Sequence, residues 1–238
     1  MANKAMEIRS ALLNSQTTRN NLRLGMEARS EIATALGAID RIGGLYDAIR
    51  QVHEAVNPQE TVEARAMRYE KQFQNTVAEA RNTALKAGEF LDSYARSIYS
   101  QAIEKAGLSV QSLDGPEIRS ALRAMPQAER DKAVNEAFKR GDVEVLSSIY
   151  GRNPVTWGGT TKPLDKQFQL YVETAAPEMV QEKEALDKTM EGLTLAVDTF
   201  VASAEKWRDP LTAARGFQQA EEYEAADAAL KAFLGPTQ

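Results

Sequence analysis

The chain has 238 residues, 43% of them apolar and 26% charged, with a net charge of −5, long enough to bury a core as one large domain or two small ones. One histidine and no cysteine exclude disulfides, thiolate nucleophiles, Cys-ligated zinc and a His-rich metal site within one chain. No stretch approaches the roughly 18 apolar residues of a membrane span. The opening MANKAMEIRSALLN lacks the apolar core of a secretory signal, so cytoplasmic synthesis without secretion or membrane insertion is expected.

Ile32, Leu36, Ile39, Ile42, Leu45, Ile49, Val52 and Val56 recur every three or four residues, the spacing that gathers side chains on one helical face, close to a coiled-coil seam. With the patchier Ile8, Leu12, Leu22 and Met26 before them, they predict a helix over about 4–56. Asn57-Pro58-Gln59-Glu60 reads as a stop followed by a start, with Asn57 as N-cap and Pro58 as the first helical residue. Val62, Ala66, Tyr69, Phe73, Val77, Ala80, Ala84, Ala87, Leu91, Tyr94 and Ile98 then repeat at a period of about 3.6. They predict a second helix over about 58–106 that ends on a left-handed Gly107. A short turn between two long amphipathic helices makes an antiparallel hairpin. Gly43-Gly44 lies inside the first stripe, where each glycine costs about 1 kcal/mol against alanine. A close helix crossing, a bend and simple tolerance all account for the pair.

Residues 108–150 read as three shorter helices. One starts at Asp114-Gly115-Pro116 and ends near Met125, one runs from Pro126 to Gly141, and one is capped by Asp142. GRNPVTWGGTTKP, residues 151–163, is the one long break. Beyond it Phe168, Val172, Ala175, Met179, Leu186, Met190, Leu193, Val197, Phe200, Ala204 and Trp207 hold one phase across Pro177, which predicts a long kinked helix over about 163–207. Asp209-Pro210 starts a last helix and Gly235-Pro236 ends it. No run alternates at period two for long enough to be a strand. The expected fold is all-α: a long antiparallel helical hairpin (1–107), short helices (108–150), a Gly/Pro loop (151–163) and an acidic helical segment (164–238), together one elongated domain.

The motifs that resemble chemistry do not complete it. The 151–163 loop sets glycines beside Thr160, Thr161 and Lys162, but a phosphate loop needs its lysine before the hydroxyl residue and a strand in front. Trp157, between Thr156 and Gly158-Gly159, either folds back as a buried plug or projects as an aromatic anchor for a partner. Trp157, Arg152, Lys162, Gly43 and Gly44 are therefore the candidate partner contacts. Arg140-Gly141-Asp142 spells an adhesion tripeptide, yet its glycine and aspartate already serve as helix stop and helix start. His53 lies beside the first apolar stripe with no nucleophile to activate. The pairs Glu178/Glu182 and Glu184/Lys188 and the trio Glu221/Glu224/Asp227 read as solvated faces, because a di-metal bundle needs two Glu-x-x-His motifs. No catalytic residue, cofactor or metal is assigned.

Charge is uneven. Residues 1–163 hold 22 basic and 20 acidic side chains, and residues 164–238 hold 7 and 14. The acidic final third repels nucleic acid, and only the weakly basic segment 1–29 leans toward it. The same acidic face suits a basic protein partner.

Ile118, Arg119, Leu122, Met125, Glu129, Arg130, Ala137, Gly141, Asp142, Leu146 and Pro154 form a pattern of helix, helix pair and Pro/Gly loop. Over Ile118–Gly159 this resembles uncharacterised helix-rich proteins of tailed bacteriophages. The resemblance implies no active site and points to a virion or assembly component. The expectation is a non-enzymatic structural or assembly protein of a phage-like particle, acting through protein–protein contacts with itself or with virion proteins. The alternative is a soluble regulator or inhibitor that binds one host or phage protein.

Overall fold

The computed structural model describes residues 12–110, 112–159 and 161–234, with side chains throughout except at 161–163 and 234. It is 83% helical, with no strand among the described residues. The helices are α1 (Ser15–Asn20), α2 (Ser30–Glu54), α3 (Val62–Lys105), α4 (Gly115–Ala124), α5 (Gln127–Arg140), α6 (Val143–Ile149), α7 (Thr161–Ala175), α8 (Pro177–Ala204) and α9 (Pro210–Leu234). Short 3₁₀ turns cover Met26–Ala28, Pro154–Thr156 and Glu205–Trp207. Among the described residues no helix is long and apolar enough to cross a membrane. The chain forms two compact units, one from residues 1–91 with 188–238 and one from residues 92–187.

In the first unit α2 and α3 form the antiparallel hairpin. Arg41 pairs with Glu79, the His53 ring meets the Tyr69 ring, and Thr34 and Phe90 line one groove. As one number rises the other falls, which only antiparallel helices allow. Ile32, Leu36, Ile39, Ile42 and Ile49 are at most 1% exposed, each stabilising the fold by about 1.5–3 kcal/mol through burial. Tyr69, Phe73, Ala80 and Leu91 of α3 and Leu193, Ala196 and Phe200 of α8 are buried with them.

Two boundaries depart from the sequence reading. The single helix expected over 4–56 is interrupted, since α1 ends at Asn20 and α2 starts at Ser30. Gly25 stands between them at φ +87, a left-handed conformation that stops helical propagation and that glycine adopts freely. The expected residues before Leu12 lie outside the described ones, as do Gly235-Pro236 at the other end. The hairpin turn is also longer than expected. Asn57 accepts a hydrogen bond from the Gln59 backbone N–H at 3.0 Å and makes a local turn, while Thr61 caps α3 by accepting from the Ala64 N–H at 3.1 Å. Glu60 accepts from Arg68 at 2.9 and 3.0 Å. That guanidinium also donates to the Val52 and Ala55 carbonyls at the end of α2, closing the hairpin.

Glycine sets the closest approaches in this unit. A Cβ on Gly43 would overlap the Leu13 carbonyl oxygen, and one on Gly192 would overlap the Thr18 hydroxyl. The α1 segment therefore lies on α2 and α8 at a distance larger residues forbid. Asp40 of α2 holds it there, accepting from the Ser15 N–H and hydroxyl at 2.9 and 2.8 Å.

The second unit wraps α4–α6 and α7 around the end of α3. Its core holds Ala106, Leu122, Val134, Leu146, Ile149, Phe168 and Val172. Left-handed Gly107 and Gly141 (φ +74 and +66) stop α3 and α5. In each case the next N–H donates back five residues, Leu108 to Ile103 and Asp142 to Ala137, closing the helix end. Asp142 then caps α6 by accepting from the Val145 N–H at 3.2 Å. Two arginines finish helix C-termini with positive charge where the dipole favours it: Arg130 donates to the Leu122 and Met125 carbonyls, Arg119 to that of Ser148. The kink expected at Pro177 is a one-residue break at buried Ala176, whose N–H still donates to Val172 and whose carbonyl accepts from Val180.

Candidate functional site

Within the second unit, α7, the start of α8, the end of α3 and the 149–157 loop enclose a cleft of about 1070 Å³. That is the size of a ligand or peptide site. Its apolar wall is Ile98 and Ala102 of α3, Ile149 at the end of α6, Trp157 of the loop, and Phe168 and Val172 of α7. The stripe at 164, 168 and 172 follows from helical period alone.

The loop is a folded element. Asn153 accepts from the Val155 N–H at 3.0 Å, and the Thr156 hydroxyl donates to the Asn153 carbonyl at 2.7 Å. The Pro154 carbonyl takes the N–H groups of Trp157, Gly158 and Gly159. This turns the Trp157 indole back on its own chain, and a Cβ on Gly159 would overlap the ring. Gly158, at φ +77, lies against Arg130, where a Cβ would come within 2.6 Å of Nη1. The two glycines after Trp157 are thus a steric condition for burying it.

Trp157 is 3% exposed, so it plugs the body and walls the cleft; the projecting-anchor alternative is corrected. Its indole N–H has no hydrogen-bond partner among the described residues, at a cost of about 1–3 kcal/mol. Of the other candidate contacts, Arg152 is exposed at the edge of the cleft. The Lys162 side chain lies outside the described residues. Gly43 packs on Leu13 within its own unit, and Gly44 is exposed with open space at its Cβ position. Of these five, Trp157 and Arg152 line the same cleft.

Tyr99, Tyr150, Asp165, Lys183, Glu184 and Asp187 also line the cleft. The sequence marks its acidic residues only as part of a face suited to a basic partner and gives Tyr99, Tyr150 and Lys183 no binding role. Tyr150 stacks edge-on against Phe168 at 5.0 Å; burial pushes its phenol up, and a hydrogen bond with Tyr99 adds to that. The charged lining is Asp165, Glu173, Glu184 and Asp187 against Arg152 and Lys183. Lys183 pairs with Asp187 at 2.6 Å, and Gln169 donates to Glu173 at 2.9 Å. The cleft is apolar below and carboxylate-rich above.

Of the other residues weighed for chemistry, His53, Glu178 and Glu182 have structural partners. His53 stacks on Trp207 at 5.1 Å and meets Tyr69 edge-on at 5.6 Å. Glu178 pairs with Lys105, which lowers its carboxyl, and Glu182 accepts from the Tyr94 hydroxyl at 2.8 Å. Among the described residues no three His, Asp or Glu side chains converge as metal ligands.

A different surface feature belongs to the first unit. The start of α9 packs through Ala213 and through Gly216, where a Cβ would sit 2.8 Å from the Glu63 carbonyl oxygen. From residue 221 to 233 every side chain is exposed except half-buried Asp227. Tyr223, Leu230 and Phe233 are 75%, 56% and 88% exposed. Comparison with protein-family models, with curated proteins and with solved structures finds no match.

Proposed function

We propose that the chain is a non-enzymatic helical structural or assembly protein of a phage-like particle that works through protein–protein contacts. The observation that carries the reading is the outer half of α9. A helix of about thirteen residues is marginal alone in water and takes its stability from packing an apolar face. Here Tyr223, Leu230 and Phe233 are exposed, the kind of surface that marks an interaction site. The resemblance over Ile118–Gly159 supplies the particle context.

The test is capture of the tagged chain from producing cells, with a density gradient and mass spectrometry. Co-migration at fixed stoichiometry with particle proteins supports the reading. Migration away from particles with one dominant protein supports the second reading, a regulator that binds a single target. The cleft favours that second reading, because a concave site selects one segment of one partner.

A further inference from the structure

The cleft of the second unit combines features that specify an occupant. Its lining covers residues 164–173 of α7 and 179–187 of α8, in each case roughly 12–14 Å at the helical rise per residue. That length matches two to three turns of a docked helix. Over a floor of buried Ile98, Ile149, Trp157, Phe168 and Val172, exposed Tyr99 and half-buried Tyr150, Leu164, Met179 and Val180 offer the apolar surface that an amphipathic helix requires. Four carboxylates against two cations make the rim attractive to positive charge and repulsive to phosphate or to an acidic helix. The charge also excludes this chain's own exposed helix as occupant: α9 carries Glu221, Glu222, Glu224 and Asp227 against Lys231 over its outer half.

We infer that the cleft seats a basic amphipathic helix of a protein partner, its apolar side on Tyr99, Leu164, Met179 and Val180 over the Trp157–Phe168 floor and its Lys or Arg side chains against Asp165, Glu184 and Asp187. The inference rests on the protein-contact reading and adds the chemistry of the partner. The loop then has a function beyond connection, since the fold that buries Trp157 also builds one wall of the site.

The test uses the full chain with Trp207→Phe, which leaves Trp157 as the only tryptophan of the two. Circular dichroism checks that this variant is folded. Two synthetic helical peptides are titrated against it, both with Leu at i, i+3, i+4 and i+7, one with Lys and one with Glu at the polar positions. The Lys peptide shifts Trp157 emission and binds about tenfold or more tighter than the Glu peptide, the gap narrowing in salt. Reversal of the rim by Asp165→Lys with Asp187→Lys weakens the Lys peptide about tenfold. Asp131→Lys, exposed on α5 and outside the cleft, leaves it unchanged. Equal binding of both peptides, or equal loss with Asp131→Lys, overturns the inference. So does binding of a small apolar dye with no binding of either peptide, which makes the cleft a small-molecule site. Capture of particle proteins at unchanged yield by the rim-reversed chain removes the cleft and leaves the protein-contact reading standing. Peptide binding as described, without particle proteins in the gradient, does the reverse.

Discussion

Gly43 and Gly44 are neighbours in one helix with opposite constraints. The Cβ of an alanine at 43 would overlap the Leu13 carbonyl oxygen, whereas at 44 it meets nothing. Gly43→Ala is expected to destabilise the chain by about 1–3 kcal/mol through overpacking, and Gly44→Ala to stabilise it by about 1 kcal/mol through helix propensity, both read by urea denaturation. Glu70 makes a second prediction. Arg208 donates to both its oxygens at 2.7 and 2.8 Å and Gln74 adds a third bond, holding its carboxyl below the usual range against the opposing effect of burial. A carboxylate lowered in the folded state stabilises above its unfolded value of about 4.3, and that stability is lost as pH falls through the lower folded value. Glu70→Gln therefore costs about 2 kcal/mol at pH 7 and flattens the loss of stability between about pH 5 and pH 3. An unchanged acid limb in urea titrations would show that Glu70 is not an acid-sensitive contact.

Helix ends and faces behave as units of their own. Gly141 and Asp142 close α5 and open α6 in two consecutive residues, one by left-handed backbone, the other by its carboxylate. Loss of the cap in Asp142→Ala is expected to lower stability by about 1 kcal/mol, measurable as a shift in denaturation midpoint. Most residues behind the phage resemblance do such work: Arg119 and Arg130 cap helices, and Leu122, Ala137 and Leu146 fill the core. The outer half of α9 is different, because Tyr223, Leu230 and Phe233 are largely exposed among the described residues. Replacing Tyr223, Leu230 and Phe233 together by Ser should leave unfolding of the rest of the chain unchanged while abolishing association with particle proteins in the gradient. Retained association would move the contact surface elsewhere.

At the scale of the molecule, the two units share α3 and α8, whose residues fall on both sides of the boundaries at Leu91/Asp92 and Asp187/Lys188. Each unit carries one of the two tryptophans, Trp207 in the first and Trp157 in the second. Single-tryptophan variants thus report the units separately. A helix propagates cooperatively once nucleated, so loss of shared α3 or α8 in one unit removes packing from the other. Coincident urea transitions for the two probes are expected, and separated midpoints would make the units independent.

Local pattern alone determined the all-α class, the buried faces of α2, α3 and α8, the stops at Gly107 and Gly141 and the start at Pro210, because each follows from sterics and spacing within a few residues. At Pro177 it predicted a kink in one helix where the structure has a break between two. The same local rules failed at Gly25, where one glycine among Asn-rich residues broke a helix read as continuous. They also failed at Asn57, where a local turn outcompeted a cap. The cleft was legible only in part: Phe168 and Val172 stood on a recognised stripe, while Asp165, Glu184 and Asp187 looked like any solvated face. What made them one site was the docking of Ile98 and Ala102 beside the 149–157 loop, α7 and α8. Contacts between segments tens of residues apart are selected by how whole helical faces pack, so tertiary structure alone decided the cleft, the burial of Trp157 and the close contact at Gly43.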